Sequence, residues 1–159
     1  MKVLQIGVLL LSFLIIGQAQ AQEASDTNME ILKEKVKANK KLLVANNMNL
    51  TDEEAKHFWP LYDGYQKELG QINQRLFTTI KSYAGAYNAG KGEISNDIAK
   101  KILAEALAAD ESEVKLRESY AATLEKVLPA KKVARYLQIE MKIRAIVKFE
   151  LASGIPLVS

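Results

Sequence analysis

The chain contains no cysteine, one histidine (His57) and three prolines among 159 residues. Without cysteine there is no disulfide staple, no thiolate zinc site, no cysteine nucleophile and no lipidated cysteine anchor; a single imidazole excludes every site that needs two. An excess of one charge is missing as well. The 22 Lys and Arg stand against 19 Asp and Glu, and the net +3 admits anionic partners without approaching the dense basic composition of a nucleic-acid binder. No G-x-x-x-x-G-K-[ST] run is present to hold ATP phosphates. The paired acids Asp52, Glu53 and Glu54, like Glu111 and Glu113, have no nucleophile, oxyanion donor or ligand loop beside them, so neither catalysis nor a cofactor is expected. His57 lies four residues after Glu53, a spacing that can chelate a metal on one helix face. With Met29, Met48 and Met141 scattered, the set falls short of a dedicated metal site.

Long hydrophobic runs are confined to one place. Lys2 precedes an apolar stretch from Ile6 to Gly17, interrupted only by Ser12, and Gln18-Ala19-Gln20-Ala21 then offers small residues to a signal peptidase. Residues 1–21 therefore read as a secretory signal peptide. The run is about a dozen residues where a spanning helix needs roughly 20, so the mature chain is expected outside the cytoplasm with no stable membrane insertion.

What remains is patterned for helices. After a polar lead-in over 22–27, Thr27-Asn28-Met29-Glu30 has capping-box spacing, and a first helix is predicted over 28–46 with Leu32, Val36, Asn39 and Leu43 on its apolar face. Thr51 and Glu54 repeat that chemistry at the start of a second helix. Its positions Ala55, Phe58, Tyr62, Tyr65, Leu69, Ile72, Leu76, Ile80, Tyr83 and Tyr87 make a seam close to heptad spacing. Pro60 predicts a bend rather than a break. From 52 to 87 this helix would measure about 54 Å, against a diameter of roughly 37 Å for a compact globule of the mature length, so an elongated molecule is expected. Asn88 to Gly92 supplies a turn, Ser95 caps a third helix over 96–127, and Pro129 opens a fourth. The third helix interrupts its apolar face at Glu113, which predicts a poorly buried middle or a groove. The fourth is apolar over much of its girth, which predicts the most buried helix or one in a subunit contact. The helical domain spans 28–153, Gly154 and Pro156 end it, and 154–159 is an apolar tail. The fold class is all-α: an elongated four-helix protein of long antiparallel hairpins that self-associates through its apolar seams.

An offset of 78 residues aligns Leu50-Thr51-Asp52-Glu53-Glu54 with Leu128-Pro129-Ala130-Lys131-Lys132 and sets Phe58 opposite Tyr136. At these residues the chain resembles the Spy/CpxP family of periplasmic helical proteins, which carry two L-T-x-x-Q motifs near helix starts. The motif positions here are Leu50, Thr51 and Glu54 in the first copy and Leu128 and Lys132 in the second, with Glu54 and Lys132 in place of the final Gln. The resemblance implies a periplasmic location, a thin, curved antiparallel homodimer and one of three roles. These are an ATP-independent chaperone holding unfolded envelope proteins, a regulatory adaptor that restrains an envelope-stress sensor kinase through its periplasmic domain, or a metal-responsive protein.

Charge placement bears on the first of these. Residues 28–46 carry net +3 and residues 129–148 net +5. Lys33, Lys37 and Lys40 share one face of the first helix, and Lys131, Arg135 and Lys142 share one of the fourth, beside apolar residues. A basic, partly apolar face can steer in an acidic unfolded segment and retain it by short apolar contacts; the same lysines can equally be a solvated surface that keeps the chain soluble. Phe58 and Trp59, with Tyr62 and Tyr65, form an aromatic cluster that would serve either as a client-binding surface or as core packing around Pro60.

Overall fold

The computed structural model describes residues 39–158, and the expected signal peptide, lead-in and first capping box lie outside them. The chain divides into two units, Met1–Asn47 and Met48–Ser159. The described residues begin in a helical segment, α1, over 39–48. Asn47 Nδ2 donates to the Leu43 carbonyl at 2.8 Å near its end, and Asn49 follows at φ 48°, the left-handed conformation that Asn tolerates after a helix. The apolar phase of α1 differs from expectation: Leu43 is 45% exposed and Val44 is buried.

The second unit is built from α2 (Asp52–Ala89), α3 (Asn96–Leu124) and α4 (Ala130–Gly154), and no strand occurs among the described residues. Helix α2 starts on a complete capping box. Thr51 Oγ1 accepts from the Glu54 N–H at 3.3 Å, and Glu54 Oε2 accepts from the Thr51 N–H at 2.8 Å. Three acids in its first turn complement the helix dipole. Its 38 residues, about 57 Å of helix, continue unbroken through Pro60. The turn after it passes through Lys91 at φ 55° and Gly92 at φ 106°, which is why a glycine stands there. Ser95 Oγ then caps α3 by accepting from the Ile98 N–H at 3.3 Å.

Helix α3 runs back along α2, as the Tyr120 hydroxyl donating to Glu68 at 2.7 Å and the Arg75–Glu105 ion pair at 3.4 Å require. Gly64 permits the close approach: a Cβ there would stand 2.8 Å from the Tyr120 hydroxyl oxygen. Helix α4 reverses again, pairing Arg144 with Glu113 and Lys148 with Asp110 on α3. Its order along α2 is parallel, with Lys132 at Glu54, Glu140 at Gln66, Arg144 at Asn73 and the tail carbonyl of Pro156 at the Tyr83 hydroxyl.

All ten seam positions of α2 are buried or half-buried, as the periodicity requires. The core is concentrated at one end. Phe58, Tyr62, Tyr65 and Leu69 of α2 are buried, as are Ala109, Leu116 and Leu124 of α3 and Val133 and Tyr136 of α4; toward the other end of α2, Tyr83 alone is buried. No residue of α3 before Ala109 and none of α4 after Glu140 is buried. The fourth helix is therefore not the most deeply buried one. Its apolar girth leaves Met141, Ile146, Val147 and Phe149 exposed, because its second half meets α3 through polar side chains instead.

Candidate binding surface

The two motif copies meet. Lys132 Nζ donates to the Glu54 carboxylate and, at 2.9 Å, to the Asn49 carbonyl; that hydrogen bond and the Thr51 N–H hold the Glu54 carboxyl below its ordinary value. Four residues further on, the Phe58 and Tyr136 rings meet edge to face with centroids 5.1 Å apart. Glu54–Lys132 and Phe58–Tyr136 both join positions related by the offset of 78, so equivalent residues of the echo contact one another, as residues beside a local two-fold do. Leu128 is buried beneath them and Leu50 half-buried.

Phe58 belongs to the core. It is 0% exposed, packed against Trp59, Tyr62 and Tyr136 at centroid distances of 5.0, 6.0 and 5.1 Å, so its proposed role in contacting a client is ruled out by burial. Trp59, its ring 5.4 Å from that of Tyr62, is half-buried and covers the cluster. Beneath lies a polar seam: Gln66 Nε2 donates to Glu140 Oε1 at 2.8 Å and to the Tyr136 hydroxyl at 3.4 Å. Burial first, and the Glu140 charge second, push the Tyr62, Tyr65 and Tyr136 hydroxyls well above their ordinary values. Tyr120, desolvated and donating to Glu68, is pushed up to about 12.

The middle of α3 also corrects the sequence reading. Glu113 is 4% exposed and is neither a gap in the packing nor the floor of a groove. Its Oε2 accepts from Arg144 Nε at 2.8 Å, with Arg144 Nη2 at 2.7 Å. Lys148 stands 3.7 Å away, Arg117 is 3.8 Å from Oε1, and Arg144 Nη1 also donates to Asn73 at 2.7 Å. One buried carboxylate thus joins α3 to α4 and, through Arg144, α4 to α2. Among the described residues no buried side-chain N or O atom lacks a hydrogen-bond partner, as a buried polar network must satisfy.

Of the predicted cationic residues, Lys33 and Lys37 lie outside the described residues. Lys40 is a half-buried residue of the first unit. Lys131, Arg135 and Lys142 are all exposed on α4. At 100° per residue they fall with Ile146 and Phe149 inside a sector of about 60°, roughly opposite the buried Val133, Tyr136 and Glu140. Ile146 is 65% exposed and Phe149 71%. The sequence assigned the apolar girth of this helix to the core or to a subunit contact, because the spacing of these two residues suits either. From 130 to 149 the only acid is Glu140, which is turned inward to Gln66, and the exposed Glu150 stands one turn after Ile146 at the far end of this outward face.

Other sites are weaker. His57 meets only Glu53, at 3.3 Å, and among the described residues no three His, Cys, Asp or Glu side chains converge as metal ligands. An open groove of about 420 Å³ between α2 and α3, lined by Ile98, Ile102 and Lys101 among others, is crossed by the mutually neutralising Arg75 and Glu105. No helix among the described residues is long and apolar enough to cross a membrane. Comparison with protein families, curated proteins and solved structures finds no match to the chain.

Proposed function

We propose that this is a secreted, periplasmic binding protein of the Spy/CpxP type that holds unfolded or misfolded envelope proteins without ATP and acts as an elongated homodimer. The observation that carries the reading is the outward face of α4, where Lys131, Arg135 and Lys142 share one exposed side with Ile146 and Phe149. Exposed apolar groups of this size on a stable helix favour a partner. Cations beside them draw an acidic chain in over a Debye length of about 10 Å at moderate salt. Neither contact demands a fixed partner geometry, which suits clients with no fold of their own. The buried Glu113–Arg144 node supports the same reading, since it anchors α4 without using the outer face.

The test is suppression of aggregation of several unrelated, chemically denatured proteins by the purified chain. Suppression is expected at or below equimolar ratio and should weaken at high salt. It should also fall in a Lys131→Glu, Lys142→Glu variant and in an Ile146→Ser, Phe149→Ser variant, whose exposed positions leave the fold intact by circular dichroism. No suppression at either ionic strength refutes chaperone activity, and a pull-down giving one stoichiometric partner in place of many would assign the face to an adaptor.

A further inference from the structure

Tyr83 is buried where the bundle has no other core. It stands about 21 Å along α2 from Leu69 at 1.5 Å per residue, beyond the last buried residue of α4 and abreast of the start of α3, which buries none. Its ring lies beside that of Tyr87, with centroids 5.7 Å apart, and its hydroxyl donates to the Pro156 carbonyl at 3.0 Å. The partner is a short extended segment that follows α4. Proline disfavours helical backbone in the residue before it, and Ile155 accordingly sits at φ −103°, ψ 117°. Ile155 is half-buried, whereas Pro156, Leu157 and Val158 are exposed, Leu157 by 88%. Among the described residues the only other hydrogen bond of residues 155–158 is a long one, from the Ile155 N–H to the Ala152 carbonyl at 3.4 Å. One hydroxyl and one half-buried side chain therefore hold the segment, and a contact this small opens readily.

We propose that Tyr83 is the centre of a binding site for an extended apolar polypeptide segment, which residues 155–158 occupy in the resting chain and an incoming segment displaces; that clients supply the displacing segment rests on the holding function proposed above. The present occupant defines the ligand. The Tyr83 hydroxyl engages a main-chain carbonyl, which every polypeptide offers, and it does so at a proline, so the contact needs no N–H from the bound residue. The apolar part is supplied by a side chain in the position of Ile155, while half-buried Ile80 and Tyr87 flank Tyr83 on one face of α2. Packing alone does not explain the hydroxyl. A phenylalanine would fill the same space, and the phenol's donor is spent on that one carbonyl. An occupied site lowers the apparent affinity of a competitor by the fraction of time it stands open, so a segment seated about nine-tenths of the time costs the competitor about tenfold.

The test titrates the full chain with a capped peptide of residues 154–158, followed by heteronuclear NMR shifts of the amides flanking Tyr83. Ile155→Asp places a charge at the half-buried anchor, outside the helices, and should free the site, so that the peptide binds about tenfold tighter than it binds the unaltered chain. Adding Tyr83→Phe to Ile155→Asp keeps the ring and removes only the donor, and it should cancel most of that gain. A peptide with aspartate in place of its isoleucine should bind neither chain. No gain in Ile155→Asp, or a gain that survives Tyr83→Phe, overturns the displaceable site; with aggregation suppression intact, either result leaves the holding function standing. Peptide binding as expected, with no suppression by any variant, supports the site and overturns the holding function alone.

Discussion

Arg144→Ala should be among the most damaging single substitutions in α4. The guanidinium places two N–H groups on Glu113, at 2.8 and 2.7 Å, and a third on Asn73 at 2.7 Å. The carboxylate it would abandon is 5% exposed at its side chain. Removing one partner of a buried ion pair costs about 3–5 kcal/mol, most of it the desolvation of the charge left behind. Lys148 at 3.7 Å and Arg117 at 3.8 Å remain to offset part of that cost, which places the expected loss near the lower figure, about 3 kcal/mol. With a urea m-value of about 2 kcal/mol/M, the midpoint should fall by about 1.5 M. Replacing both partners together, Glu113→Leu with Arg144→Met, removes the stranded charge and should restore most of the loss. Urea titrations followed by far-UV circular dichroism, on the single and the paired variant, decide the matter. A shift below about 0.5 M for Arg144→Ala, or a paired variant no more stable than the single one, would refute the account of Glu113 as a buried charge dependent on α4.

Phe58→Ala empties a fully buried site among three rings and should cost about 3–5 kcal/mol, measured in the same titration; a loss under about 1 kcal/mol would return Phe58 to the surface. Thr51→Ala removes the α2 cap and should cost about 1 kcal/mol, with fraying seen as faster amide exchange in the first turn. Glu54 has a folded pKa below its unfolded value, so its contribution to stability is present above about 4.5 and is lost as pH falls through the folded value. Lys132→Met should raise the Glu54 pKa in a carboxyl NMR titration, and an unchanged titration would contradict the contact between the motif copies. Tyr62, Tyr65 and Tyr136 have raised pKa values, so their contribution is present below the ordinary 10.0 and is lost as pH rises beyond it. A spectrophotometric titration should show three of the six tyrosines ionising only as the chain unfolds in alkali.

Local chemistry made much of the fold legible. The Thr51–Glu54 box, the Ser95 cap and the ten-position seam of α2 depend on residues within a turn or two of each other, and each stands where the spacing put it. The misreadings arise where the deciding partner is distant. Glu113 looks like a solvated break in an apolar face until Arg144, 31 residues later, is brought beside it. Ile146 and Phe149 have the period of a core stripe, and periodicity does not say whether a neighbouring helix covers that stripe. Leu43 and Val44 stand 100° apart around the helix, and the three apolar residues of the predicted face are too few to choose between them. For the surface, the common face of Lys131, Arg135 and Lys142 follows from steps of four and seven, whereas the burial of Phe58 depends on Tyr136, which an alignment could place opposite it but not in contact.

The opposite signs of Glu54 and Lys132 also govern which segments are compatible during folding. Two copies of the 50–58 segment meeting in the same orientation would set acid against acid, and two copies of 128–136 would set ammonium against ammonium; only the unlike combination is attractive. Because both segments belong to one chain, joined through a single intervening helix, the complementary match is always close at hand at high local concentration. Mispairing of like with like between separate chains is therefore discouraged at the first encounter, before any aromatic packing has begun.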